Sequence, residues 1–170
     1  GNASGVNDGA CALLVASAPV ATQIAQSADE RLAIWKGRKS AFSAVGRLSP
    51  DFIVQDGVVP RRRLGEVLRQ ISELSREAGI RVANVFHAGD GNMHPIILFD
   101  ARIPGQLEAA QKCGDEILEY CIAAGGSITG EHGVGMEKME LMNHQFNGPT
   151  LDMIGRFKNL FDPECRLNPG

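Results

Sequence analysis

The sequence predicts an α+β domain in which a largely antiparallel sheet is covered by helices. Three observations carry this expectation. Short β-prone apolar runs interleave with longer runs that keep a 3.6-residue apolar period. Two of the β-prone runs are separated only by a short, polar, glycine-rich segment, which suits a pair of neighbouring strands. At 170 residues, the chain is long enough for one domain with a real core.

Residues 10–16 are a small apolar run that fits a strand, with Gly9 before it and Pro19 after it. Residues 21–45 favour a helix through Ile24, Ala28, Leu32 and Trp35, although Gly37 and Gly46 weaken that expectation. Residues 52–59 fit a strand, and Pro60 then opens a helix with a stripe of Leu64, Val67, Leu68, Ile71 and Leu74, stopped by Gly79. Residues 81–86 and 96–99 fit two strands joined by the segment 87–94, read as a functional loop or bulge. A second amphipathic helix carries Leu107, Ala110, Gly114, Ile117, Leu118, Cys121 and Ile122, and ends at Gly125-Gly126. A further glycine-rich segment covers 126–135. A last stripe of Leu151, Ile154, Phe157 and Phe161 is ended by Pro163.

The bulk properties exclude several classes. A net charge of −3 leaves no basic footprint for nucleic acid. The Arg61-Arg62-Arg63 run, just after Pro60, reads as a solvated turn. Cys11, Cys113, Cys121 and Cys165 form no CxxC pair, which suggests reduced core residues and a cytoplasmic setting. Neither a signal peptide nor an apolar run of membrane-spanning length is present. The opening Gly1-Asn2-Ala3-Ser4-Gly5, without an initiator Met, leads us to expect a fragment or a tagged chain.

Two segments carry chemistry. The first, His87-Ala88-Gly89-Asp90-Gly91-Asn92-Met93-His94, brackets a turn with two histidines. Residues seven apart on a simple strand face opposite sides, but an intervening turn can bring both rings together. The second is Thr129-Gly130-Glu131-His132-Gly133-Val134-Gly135. Three of the four histidines fall in these two segments, and only His144 lies outside them. Two imidazoles and a carboxylate make a three-ligand site with open positions, which suits a catalytic metal. Either segment alone is equally ordinary turn chemistry, with Asp90 and Asn92 as turn formers; together they favour a shared site. Neither matches a dinucleotide loop, since Gly89-x-Gly91 lacks a third glycine, and no Gly-Lys-Ser/Thr occurs.

These two strings, followed by Phe161-Asp162-Pro163 and Leu167-Asn168-Pro169-Gly170, resemble the C-terminal region of the FAD-linked oxidases. These belong to the vanillyl-alcohol-oxidase-like superfamily, in its D-lactate, D-2-hydroxyglutarate and glycolate dehydrogenase branch. The segments 35–46 and 56–63 look most like the flavin subunit of bacterial glycolate oxidases. The resemblance covers the chain from about residue 30; residues 1–28 match less clearly.

The resemblance implies a single ferredoxin-like cap domain over residues 1–170, with the family's N-terminal FAD-binding domain absent. His87 and His94 match the family's metal-binding histidines, and Glu131 matches its carboxylate ligand. His132 matches the residue proposed as the base, Arg38 an arginine that grips the substrate carboxylate, and Asn168 a residue near the flavin ring. A divalent zinc, manganese or iron ion would hold the hydroxyl and one carboxylate oxygen of a 2-hydroxy acid and lower the hydroxyl pKa. His132 would take that proton as hydride passes to flavin. Arg38 would pair with the carboxylate through two prongs, which Lys cannot copy. For Arg38 an exposed helix arginine is an equal alternative, and for Asn168 a simple turn before Pro169.

A lysine present in some D-2-hydroxyglutarate relatives has no match near Val54-Gln55-Asp56, which argues for a small substrate of glycolate or D-lactate type. Other glycolate oxidase subunits, among them an iron–sulfur subunit, are implied as partners. So is a cytoplasmic location with membrane association through those partners; a homodimer is compatible with it. Taken alone, the chain is expected to hold no flavin, to turn nothing over, and to expose an apolar face that drives self-association. Two other classes stay open: a flavin-independent metal hydrolase or non-haem iron enzyme, and a non-catalytic subunit-docking module.

Overall fold

The N-terminal stretch contributes a two-residue ladder, β1 (Cys11–Ala12) paired antiparallel with β2 (Gln23–Ile24). The computed structural model describes residues 11–12, 23–24, 27–87 and 89–169, with the side chains of positions 11, 12, 23, 24, 38, 39, 41, 42, 86 and 87, Cys11 among them, outside that description. The strand expected over 10–16 is therefore described only at Cys11–Ala12. The helix expected from residue 21 begins at Ala28 instead: Ser27 Oγ accepts the Glu30 N–H at 3.2 Å, and Asp29 and Glu30 sit at the positive helix end. It runs as α1 (Ala28–Lys39) and, after Ser40, α2 (Ala41–Val45).

The expected strand over 52–59 divides into β3 (Asp51–Val54) and β4 (Gly57–Val58), with Gln55 and Asp56 between them. After Pro60 a 3-10 turn (Arg61–Arg63) leads into α3 (Leu64–Ala78), which Gly79 ends at φ 65°. The arginine run is not solvated throughout: the Arg63 guanidinium donates to Glu66 at 2.9 Å. Two strands follow, β5 (Arg81–His87) and β6 (Asn92–Phe99), then α4 (Gln106–Ala123), α5 (Met142–Gln145) and α6 (Gly148–Phe161). Asn147 caps α6, its side-chain oxygen accepting the Thr150 N–H at 3.0 Å.

β6 is the centre of the sheet, with β5 on one side and both β3 and β4 on the other, all antiparallel to it. The register explains why β3 and β4 act as one interrupted strand. Val54 faces Ile96 and Gly57 faces Met93, so three residues advance on each side and no bulge intervenes. Gln55 keeps the ladder, its N–H donating to Pro95 O at 3.0 Å. That register sets Asp56 directly across from His94. The interrupted strand, α3 and β5 form a split β-α-β unit around β6. A fourth edge is reduced to one antiparallel bridge, Val58 with Ser127. The architecture is α+β with an open antiparallel sheet, as the sequence predicts.

Alternate residues of β6 divide the two faces of the sheet. Met93, Ile97 and Phe99 join Val67, Ile71, Ala110, Cys113, Ile117 and Cys121 in the main core, under α3 and α4. Fully burying each Ile or Leu there contributes about 1.5–3 kcal/mol. Ile96 and Leu98, on the other face, pack with Val45, Val54, Ala83 and Val85. A third cluster of Leu118, Ile128 and Leu141 seats the chain after α4 against that helix. The apolar residues of α6 do not join a core: Phe157 is 66% exposed and Leu160 74%. No helix among the described residues is long and apolar enough to cross a membrane.

The cysteines follow the expectation only in part. Cys113 and Cys121 are buried in the main core, whereas Cys165 lies exposed in the tail. Burial pushes the Cys113 thiol up to about 11, helped by the Glu116 charge, and the Cys121 thiol up to about 12. A thiol reagent applied to the native chain is expected to modify Cys165 quickly, and Cys113 and Cys121 only as the core opens. Fast native-state labelling at Cys121 would contradict this packing. Glu66 offers a second check. Hydrogen bonds from Arg63 and from the Tyr120 hydroxyl hold its carboxyl at about 2. A depressed folded pKa stabilises above the ordinary carboxylate range and loses that contribution as pH falls through the folded value. Glu66→Gln should therefore flatten the stability loss between about pH 5 and about pH 2 in denaturant titrations. An unchanged slope would show that the link between α3 and α4 is not ionic.

Candidate functional site

Asp56 organises the site. It has no exposed surface and stands in a gap between two strands, where a carboxylate needs partners to remain charged. Four donors meet its Oδ2: the Thr129 hydroxyl at 2.9 Å and the N–H groups of Gly130 at 2.9 Å, Glu131 at 2.8 Å and His132 at 2.7 Å. Burial alone would push its pKa up, but these bonds outweigh burial and hold the carboxyl well below the usual range. Lys138, itself buried, adds a positive charge nearby and donates to Gly133 O at 3.4 Å. Burial lowers the Lys138 pKa, while the Asp56 and Glu137 charges oppose that shift.

The second glycine-rich segment is thus wrapped around a carboxylate, and its glycines explain how closely it approaches. A Cβ at Gly126 would lie 1.8 Å from Val58 O, and one at Gly130 would lie 2.7 Å from Val58 Cγ2. Without them, Ser127 could not exchange its two 2.9 Å backbone bonds with Val58. The Gln145 side chain fastens the other side, accepting the Ile128 N–H at 2.9 Å and donating to Ser127 Oγ at 3.2 Å.

The first segment is a hairpin rather than a long loop. β5 and β6 pair up to His87 and Asn92, and the described turn between them covers positions 89–91. Gly91, at φ 76°, lets the turn fold back until its carbonyl accepts the Val59 N–H at 3.0 Å. His94 is therefore a strand residue, on the same face as Asn92 two positions away. It is 5% exposed, with Nδ1 3.7 Å from Asp56 Oδ1 and Nε2 3.7 Å from Glu131 Oε1. The Asn92 amide donates to the same Glu131 oxygen at 2.7 Å. The His132 ring stacks on His94 with centroids 5.0 Å apart and planes 7° from parallel.

The two segments meet: His94, Glu131 and His132 converge on one another. His87 ends β5 in the backbone position paired with Asn92, and its side chain lies outside the described residues. Arg38 lies in α1, and its side chain also falls outside them. Asn168 is exposed in the tail with φ 49°, which suits a turn; it is not among the residues that meet at His94. Two members were missed in the sequence. The sequence reads Asn92 as a turn former, and Asp56 only as part of the segments that carry or test the resemblance, not as a site residue. The signal for Asp56 was available: it and Gln55 are the polar interruption of an otherwise apolar strand run. Ligand atoms of Asp56, His94 and His132 lie within 4.8 Å of one another. With Glu131 beside them, this nitrogen and oxygen donor set fits a divalent metal of the zinc, manganese or iron type.

A family model, "FAD linked oxidases, C-terminal domain", matches residues 6–170. The chain belongs to that family, whose members are FAD-linked oxidoreductases. The glycolate oxidase subunit GlcD of Escherichia coli is 50% identical over 165 residues, covering 97% of this chain and 32% of that protein. The GlcD subunit of Bacillus subtilis is 37% identical, over 89% of this chain and 32% of that one. The mitochondrial cytochrome D-lactate dehydrogenase of Arabidopsis thaliana is 29% identical, over 86% and 26%. The chain spans about a third of the length of the curated relatives it matches most fully.

If the Val58–Ser127 bridge seats the second segment, Gly126→Ala should unseat it, since the added carbon meets backbone. A loss of about 1–3 kcal/mol in denaturant midpoint analysis is expected. An unchanged midpoint would mean that the bridge is dispensable.

Proposed function

We propose that this chain is the metal- and substrate-binding part of an FAD-dependent oxidoreductase that oxidises a small 2-hydroxy acid, of glycolate or D-lactate type, by hydride transfer to flavin. The observation that carries this reading is the convergence of His94, Glu131 and His132, from two separate glycine-rich segments, around one buried carboxylate. Turn chemistry alone gives no reason for two loops to place their imidazoles and acid together. The names of the relatives, glycolate oxidase subunits and D-lactate dehydrogenases, support the substrate class.

In this reading His87, His94 and Glu131 hold a divalent cation. When bound, it supplies Lewis-acid polarisation of the substrate hydroxyl and carboxylate. His132 is exposed beside these ligands and takes the hydroxyl proton. Its ring is oriented by stacking on His94 and by the seating of its own N–H on Asp56. Arg38 grips the substrate carboxylate, and Asn168 lies near the flavin ring, with FAD held mainly by a further N-terminal domain. Other oxidase subunits, including an iron–sulfur subunit, would accept the electrons in the cytoplasm or at a membrane to which those subunits attach. The exposed apolar side of α6 leaves room for such packing or for a homodimer. By itself this chain would bind metal without turnover.

Elemental analysis of the purified chain, beside a His87→Ala/His94→Ala double variant, tests the site. Near-stoichiometric divalent metal is expected in the wild type and background levels in the variant. Failure of the wild type to take up zinc, manganese or iron after soaking would overturn the metal assignment.

A further inference from the structure

The two oxygens of Asp56 face different partners. Oδ2 is saturated by four donors, all from residues 129–132. Oδ1 has no hydrogen-bond donor among the described residues and is directed at His94 Nδ1, 3.7 Å away. The strand register makes this pairing a fixed one, because Asp56 and His94 occupy opposed positions with side chains on one face. On the opposite edge of the same ring, Nε2 faces Glu131. A carboxylate on one nitrogen and a ligand acid beyond the other is the arrangement that orients metal-binding histidines.

We propose that Asp56 is a positioning residue rather than a metal ligand: it keeps the proton of His94 on Nδ1, so that the Nε2 lone pair lies on the edge of the ring shared with Glu131, where a cation would join the two, and it seats Glu131 and His132 in the same act. Asp56 stands close enough to be counted among possible donors, but its one unsaturated oxygen, Oδ1, faces His94 Nδ1, whereas Glu131 lies at Nε2 on the other edge of the ring. The inference rests on the metal reading for its purpose, but the tautomer it assigns is a property of the metal-free chain. The gap between Oδ1 and Nδ1 exceeds hydrogen-bond range by roughly half an ångström to an ångström, so the pairing is read from which atoms face each other and not from a formed bond.

Asp56→Asn makes a sharp test because the loop dictates how the amide must sit. Four donors require an acceptor at the Oδ2 position, so the amide oxygen goes there and the NH2 group is turned towards His94. An NH2 donor at Nδ1 needs a lone pair on that nitrogen, and the ring proton must then move to Nε2. The change replaces one oxygen with nitrogen and leaves the volume of the side chain almost intact.

The measurement is the nitrogen-15 chemical shift pair of His94 in the metal-free 170-residue chain, with pH raised until both shifts stop changing, because carboxylates on both edges of the ring favour its charged form. The wild type should show the Nδ1–H tautomer, and Asp56→Asn the Nε2–H tautomer. Zinc affinity of the variant, by competition with a chelating dye, should fall about 10- to 100-fold. An Nε2–H tautomer in the wild type, or the same tautomer in both proteins, overturns the proposal. Should the variant not fold, the wild-type tautomer alone decides. Nδ1–H in a wild-type chain that takes up no metal would uphold the positioning role and remove the metal reading instead.

Discussion

A carboxylate with no exposed surface can stay charged inside a protein only if the surrounding chain brings donors to it. Asp56 imposes that requirement, and the chain answers it with three consecutive backbone N–H groups and one hydroxyl, all on a single oxygen. The cost of burying the charge is offset by charge-assisted bonds, which are stronger than neutral ones. The geometric consequence matters more than the energy. A loop whose N–H groups must converge on one point has few conformations left, so Glu131 and His132 emerge from it in set directions.

The sheet provides the other half of the arrangement. Because β6 is paired on both sides, its residues are held against sliding, and a one-residue slip would turn His94 into the helix-covered core. The interruption at Gln55 and Asp56 keeps the ladder register, so the polar pair is accommodated without a bulge. Gln55 turns to the helix side, where its amide crowds Gly114 of α4, and Asp56 turns to the site. One short polar break in an apolar strand thereby serves both faces.

Stability and function are separated in space. The main core under α3 and α4 holds the large aliphatic side chains and the two inert thiols, while the opposite face has a smaller apolar cluster and then the polar site. Substitutions at the site can change its chemistry without opening the core. The glycines at 57, 126 and 130 mark the places where this economy is tightest, because a side chain there would collide with Cys121, Val58 or Asn92. Helix α6 stands apart from both regions, with its apolar side exposed.

Periodicity by itself determined α3, α4 and α6, the strand pair β5–β6 and the α+β class, because amphipathic stripes and glycine or proline stops are local signals. The two glycine-rich segments were also legible as the chemical ones, from their histidines and glutamate. Asp56 was not, because its importance comes from donors more than seventy residues away in the chain, and a lone aspartate carries no mark of its partners. Nor could spacing say that His94 belongs to a strand, since the hairpin turn is defined by cross-strand pairing rather than by composition. The late start of α1 and the exposed position of Cys165 were decided in the same way, by a cap and by packing. Tertiary structure alone chose which side chains share a face, because that choice depends on the register between strands distant in sequence.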